Sequence, residues 1–112
     1  MHGQVQGGIA QGVGQALMED IHFDGSGQLV TASFQDYAMP HAHDFCDMKV
    51  DANPVPTKTN PLGVKGVGEA GCVGALPAVV NALVDALSEF GVRHIEMPAT
   101  PERVWRAMQG KA

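Results

Sequence analysis

The chain has 112 residues, enough for one domain or less, and its 45% hydrophobic and 17% charged side chains exclude a disordered polypeptide. Seven basic against twelve acidic side chains leave a formal charge of −5, which excludes the basic stripe of a nucleic-acid surface. No apolar run approaches the ~20 residues of a membrane span, and Met1 to Ala10 lack the basic flank of a signal peptide.

In chain order, Val5, Ile9, Val13 and Leu17 recur every four positions and predict an amphipathic helix over Val5 to Met18. Gly7, Gly8, Gly12 and Gly14 lie in the same stretch, so the helix needs packing around it and offers close approach to another backbone or a ligand. Gln4, Gln11 and Gln15 fall near one face of it. Ile21 to Phe23 and Gln28 to Phe34 read as short strands of a hairpin turning at Asp24-Gly25-Ser26-Gly27. Asp36 to Lys49 shows no periodicity, and Val50 to Asn60, with Pro54 and Pro56, reads as an extended loop or edge strand. Pro61 to Gly74 is glycine-rich. Ala75 to Phe90 is the clearest helix, with Pro77 in its first turn and Gly91 at the left-handed position after its end. Arg93 to Met97 reads as a short strand. Thr100 and Pro101 open a last helix whose apolar side is Val104, Trp105 and Met108, with Trp105 expected in the core.

Three groups of residues offer chemistry. Gly66-Val67-Gly68-Glu69-Ala70-Gly71 satisfies G-x-G-x-x-G at a helix start. A dinucleotide-binding turn also needs a buried strand just before it, and Asn60 to Lys65 is not one; nor is there room for repeated βαβ units. What the run does provide is several peptide N–H groups at a helix N-terminus, an arrangement that favours an anion. Glu69 sits inside that loop. A helix start favours the charge of a carboxylate and burial opposes it, a balance suited to a general base; the alternative is that Glu69 only caps the helix. His41-Ala42-His43-Asp44-Phe45-Cys46 concentrates metal-ligand residue types. Zinc sites usually draw four ligands from two separated clusters, and no second cluster exists, so no metal is expected and the segment reads as a solvated loop. Cys46 and Cys72, with no CxxC, fit a reducing, cytoplasmic setting.

The blocks GQVQGGIAQGVGQALMED, SFQDYAMP, TNPLGVKGVGEAGCVGALPAVVNALVDAL and GVRHIEMPATPERVW occur in this order. Together they resemble the C-terminal end of the large subunit in the xanthine dehydrogenase, aldehyde oxidase and carbon monoxide dehydrogenase family, the molybdenum hydroxylases. The resemblance covers essentially the whole chain and is strongest to the branch named after carbon monoxide dehydrogenase.

It implies an α+β fold: residues 1–112 as the C-terminal portion of the second molybdopterin-binding domain, with two main helices, short strands and a glycine-rich loop. It implies a molybdenum-bearing molybdopterin, in the cytosine dinucleotide form, serving oxidative hydroxylation of an aldehyde, an N-heterocycle or carbon monoxide. Glu69 takes the position of the family's catalytic base. Gln11 matches a glutamine that contacts the cofactor, and Lys65, Gly66, Val67 and Gly68 match backbone that lines it. The implied partners are the rest of the large subunit and iron–sulfur and FAD subunits. Since the family subunit is several times longer and supplies the other half of the cradle, the chain is expected to be inactive alone. The other readings are an interaction fragment without cofactor and a small dinucleotide-binding module.

Overall fold

A computed structural model describes residues 1–110 and contains three α-helices: α1 (His2–Leu17), α2 (Ala70–Ala86) and α3 (Pro101–Met108). Single 3-10 turns lie at Ala42–Asp44 and Ser88–Phe90. The long stretch between α1 and α2 is otherwise irregular.

The first helix forms where the four-residue spacing predicts it, and its glycines explain how it packs. A Cβ at Gly8 would lie 2.9 Å from the Cys72 nitrogen and 3.1 Å from the Gly71 Cα. A Cβ at Gly12 would lie 2.7 Å from the Ala75 Cβ. Backbone therefore meets backbone along this seam, and α1 and α2 run in the same sense with their N-termini at one end. This contact also explains why α2 starts at Ala70, well before the predicted Ala75. Gly71, Cys72 and Gly74 are poor helix formers, but α1 holds their turn in place. Pro77 consequently lies inside α2 and not in its first turn. It sits on the exposed side, where water can meet the carbonyl it leaves without a donor.

At its other end α2 stops at Ala86, the 3-10 turn continues to Phe90, and Gly91 takes φ +76°, as expected of a residue ending a helix. Thr100 caps α3 by accepting the Arg103 N–H through its side chain, and Pro101 follows at the first helical position. The core lies here: Leu87, Ile95 and Ala99 are buried, with Leu17, Val80, Leu83, Val84, Val92, Val104 and Met108 packed against them. The Ala99 N–H donates to the Ala16 carbonyl at 2.7 Å and ties this corner to the end of α1. Trp105 does not join the core. It is 56% exposed, on the outer side of α3.

The expected strands are largely absent. Among the described residues the β-structure is one isolated bridge, Phe23 with Leu29. The hairpin turn itself is present: the Asp24 carboxylate accepts the Ser26 and Gln28 N–H groups, and Gly27 takes φ +83°. The Ser26 hydroxyl and these N–H groups hold the Asp24 carboxyl below the usual carboxylate range. Val30 and Thr31 still bond to His22, the Val30 N–H donating to its carbonyl at 2.8 Å and Thr31 Oγ1 accepting its N–H at 3.1 Å, but beyond them the second predicted strand is unpaired and Phe34 is 90% exposed. Arg93 to Met97 buries Ile95 but leaves Arg93, His94, Glu96 and Met97 exposed, and no neighbouring chain segment completes a ladder. The α+β expectation thus gives way to a helical body with irregular connections.

The chain covers itself incompletely. Its accessible surface is 8393 Å², whereas a compact monomer of 11.8 kDa shows about 5,900 Å². Its radius of gyration is 17.7 Å, against about 13 Å for a compact domain of this length. No large side chain is fully buried among the described residues.

One polar contact yields a clean measurement. The Tyr37 hydroxyl donates to Glu19 Oε2 at 2.9 Å and fastens the 37–40 segment to the end of α1. That bond, followed by desolvation and the charges of Glu19 and Asp20, raises the phenol above its ordinary 10.0. The fold therefore favours the protonated phenol. The resulting stabilisation is complete below the ordinary value and is lost as pH rises through the raised one. Tyr37 is the single tyrosine, so an ultraviolet titration reads it alone. The midpoint is expected above 10.0 in the native chain and back toward it in Glu19→Gln.

Candidate functional site

The segment from Thr57 to Glu69 is shaped before it reaches α2. The Asn60 side chain donates to the Val64 carbonyl at 2.9 Å and accepts the Val64 N–H at 3.3 Å. The Thr57 N–H donates to the Gly63 carbonyl at 3.0 Å, and Gly63 takes φ +66°. Asn60 thus closes a tight turn through both groups of one peptide position, a role that the Asn-Pro pair signals in sequence and that the motif reading passed over.

After this turn the backbone is open. Among the described residues, none of the N–H groups from Lys65 through Glu69 donates to a protein acceptor. No heavy atom lies within 4 Å of a Cβ built at Gly66 or Gly68, apart from adjoining residues. Lys65, Gly66 and Val67 line a hollow of about 560 Å³, together with Met1, Val5, Gly63 and the 50–56 segment. The Lys65 ammonium makes no ion pair among the described residues. Gly68 is held from the other side: its carbonyl accepts Gln4 Nε2 from α1 at 3.2 Å. Gln6 Nε2 similarly donates to the Met48 carbonyl at 3.0 Å and fixes the irregular segment against α1.

Glu69 stands at the N-cap of α2 with φ −98° and ψ −6°. Its carbonyl accepts the Val73 N–H at 3.0 Å, but its side chain makes no capping bond. The carboxylate is therefore free, and the capping explanation for a glutamate here does not hold. It is exposed and does not line the hollow. Gln11 is likewise exposed and makes no side-chain hydrogen bond among the described residues. It lies two turns, about 10 Å, along α1 from Gln4. The structure thus brings Lys65, Gly66 and Val67 together on one wall and ties Gly68 to α1, while Glu69 follows in sequence and Gln11 lies two turns further along α1, neither lining that wall. Gln4, which does touch the loop, was legible only as a neighbour of Gln11 on the same helical face.

The dinucleotide alternative fares worse. The residues before Gly66 are irregular, and no βαβ unit exists among the described residues.

Comparison with known proteins agrees with the first reading. The family described as "Molybdopterin cofactor-binding domain" matches residues 1–46, which include α1 and Gln11 and end before the glycine loop. The nicotine 6-hydroxylase large subunit of Paenarthrobacter nicotinovorans is 43% identical over 98% of this chain and 14% of its own length. The carbon monoxide dehydrogenase large chain of Hydrogenophaga pseudoflava is 35% identical over 97% of this chain and 14% of its own. Among solved structures, quinoline 2-oxidoreductase from Pseudomonas putida 86 superimposes with a TM-score of 0.87 at 38% identity, over 99% of this chain and 14% of that one. The chain therefore spans about a seventh of the length of the relatives it matches.

Proposed function

Because the chain belongs to the molybdenum hydroxylase large-subunit family, we propose that it contributes a base, Glu69, and one wall of a molybdopterin cradle to the oxidative hydroxylation of an aldehyde, an N-heterocycle or carbon monoxide. The observation that carries this reading is the run of unengaged N–H groups from Lys65 to Glu69 before a helix, its first three residues lining a hollow.

That run fits the group. A molybdopterin is rich in phosphate and other polar acceptors, and unpaired peptide N–H groups beside a helix N-terminus answer them without any side chain. The missing side chains of Gly66 and Gly68 leave room for a ligand to reach the peptides. Lys65 adds an unpaired positive charge on the same wall. When bound, the molybdenum–pterin group supplies the oxidising centre for the reaction. The chain's own part is position and proton transfer. Gln4 holds the Gly68 peptide, Asn60 sets the turn before it, and a Glu69 Oε atom takes up the proton released as the substrate carbon gains oxygen. Gln11 lends a polar contact to the cofactor from α1.

In this proposal the cofactor is the cytosine dinucleotide form and the enzyme is cytoplasmic. Iron–sulfur and FAD subunits carry the electrons away, and the missing wall comes from the rest of the large subunit. The 8393 Å² of accessible surface supports that last point, because this chain leaves its own faces uncovered. No helix among the described residues is long and apolar enough to cross a membrane.

The test is a graft. The chain replaces the matching segment of a related large subunit, co-expressed with its partner subunits, and bound molybdenum and pterin are measured. The graft is expected to retain both, whereas the chain alone holds neither in stoichiometric amount and shows no turnover. Gly66→Val in the graft should lose pterin by crowding the cradle. A graft that assembles but carries no molybdenum would refute the reading.

A further inference from the structure

The segment read from sequence as a solvated loop has a defined geometry. His41 precedes the 3-10 turn Ala42–Asp44, and its N–H donates to Asp44 Oδ2 at 2.7 Å. The Asp44 N–H donates back to the His41 carbonyl at 3.0 Å. This reciprocal pair holds the Asp44 carboxylate against the His41 backbone. His41 Nδ1 lies 3.8 Å from Asp44 Oδ2, and His43 Nε2 lies 3.5 Å from Asp44 Oδ1. The two imidazoles stack with centroids 5.4 Å apart and planes 14° from parallel. One donor atom from each of the three side chains falls within 4.8 Å of the other two.

We propose that His41, His43 and Asp44 form a binding site for a late first-row divalent cation, zinc being the reference case. A zinc ion bound at about 2.0–2.2 Å to nitrogen and oxygen keeps tetrahedral donors about 3.4 Å apart. The two histidine–carboxylate separations, 3.8 Å to Oδ2 and 3.5 Å to Oδ1, approach that spacing, each imidazole facing its own carboxylate oxygen. With Asp44 held by the His41 N–H, the two exposed imidazoles have to turn so that both nitrogens meet one ion. Two imidazoles and one carboxylate are a donor set that imidazole-preferring metals such as zinc and nickel accept, with water completing the shell. Magnesium and calcium, which take oxygen ligands, are excluded by the same set. The absence of a second ligand cluster, the ground for expecting no metal here, rules out a closed four-ligand structural site but not this open one. The proposal is independent of the molybdenum reading: its ligands lie outside the glycine loop and the hollow beside it.

Isothermal titration of Zn(II) into the 112-residue chain tests it, with Co(II) absorption reporting the donors. One equivalent is expected to bind. His41→Ala and His43→Ala are each expected to weaken binding at least about 10-fold, since loss even of a group supporting a metal ligand costs that much. His94→Ala removes an exposed histidine elsewhere and should leave affinity unchanged. Cys46→Ser should do the same, and Co(II) should show no thiolate charge-transfer band. Because the substituted histidines are exposed, the far-ultraviolet circular dichroism of the variants should match the parent. Unchanged affinity in both histidine variants, or a thiolate band that Cys46→Ser abolishes, would overturn the assignment.

Discussion

Glu69→Gln, placed in a complete grafted subunit, is expected to lower turnover by roughly 10²–10⁴-fold, the range that a positioned general base contributes. The substitution keeps the size of the side chain and removes only its capacity to hold a proton. The structure predicts that little else changes. The side chain makes no capping bond to α2, and it does not line the hollow formed by Lys65, Gly66 and Val67. Molybdenum and pterin contents should therefore match those of the parent graft. This pairing of lost turnover with retained cofactor separates a base from a structural residue. Parental turnover would remove Glu69 from the mechanism, and lost cofactor would make it a cradle residue instead.

Gly71→Ala is expected to have the largest effect on stability. A Cβ at this position would overlap the Val5 carbonyl oxygen and lie 2.9 Å from the Ile9 nitrogen. Both are backbone atoms of α1, so no side chain can swing aside and the helices have to separate. Overpacking of this kind costs about 1–3 kcal/mol. In thermal unfolding, each kcal/mol should appear as a fall of roughly 4–8 °C in Tm for a domain near this size. Gly74→Ala is the internal control. It lies in the same helix, but its Cβ would meet nothing within 4 Å. There alanine should stabilise by about 0.5–1 kcal/mol through helix propensity. Opposite signs at two positions three residues apart would identify the seam as the cause. Equal, small effects at both would show that the helices do not touch as described.

What sequence could reveal follows the same division between local and long-range causes. Thr100, Pro101 and Gly91 act within one turn of chain, and all three stand where local rules place them. The α1 helix is visible in its four-residue spacing, and its glycines correctly announce a close backbone neighbour. The start of α2 was missed because Gly71 and Gly74 argue against helix until α1 is in place to hold them. The expected strands do not form, for the converse reason. Ile95 is buried, but a ladder depends on a second chain segment that the residues of one segment cannot supply. At the candidate site, residue types marked the loop, and resemblance singled out Glu69. That its carboxylate is free of capping, and that Gln4 and not Gln11 reaches Gly68, depends on the juxtaposition of α1 and α2 across more than sixty positions of chain.

The shared direction of α1 and α2 has an electrostatic consequence. Met1 and Val5, at the beginning of α1, line the same hollow as Lys65 to Val67, which lead into α2. Each helix start carries the equivalent of about half a positive charge. Together they place the equivalent of about one positive charge near that rim, built from peptide dipoles and set against the Asp51 carboxylate in the hollow and Glu69 at the N-cap of α2. In a chain whose formal charge is −5, this end of the helix pair is where peptide dipoles and Lys65 offset the acidic side chains. An anionic group meets least opposition at this end of the pair, where Lys65 and the two helix starts face it.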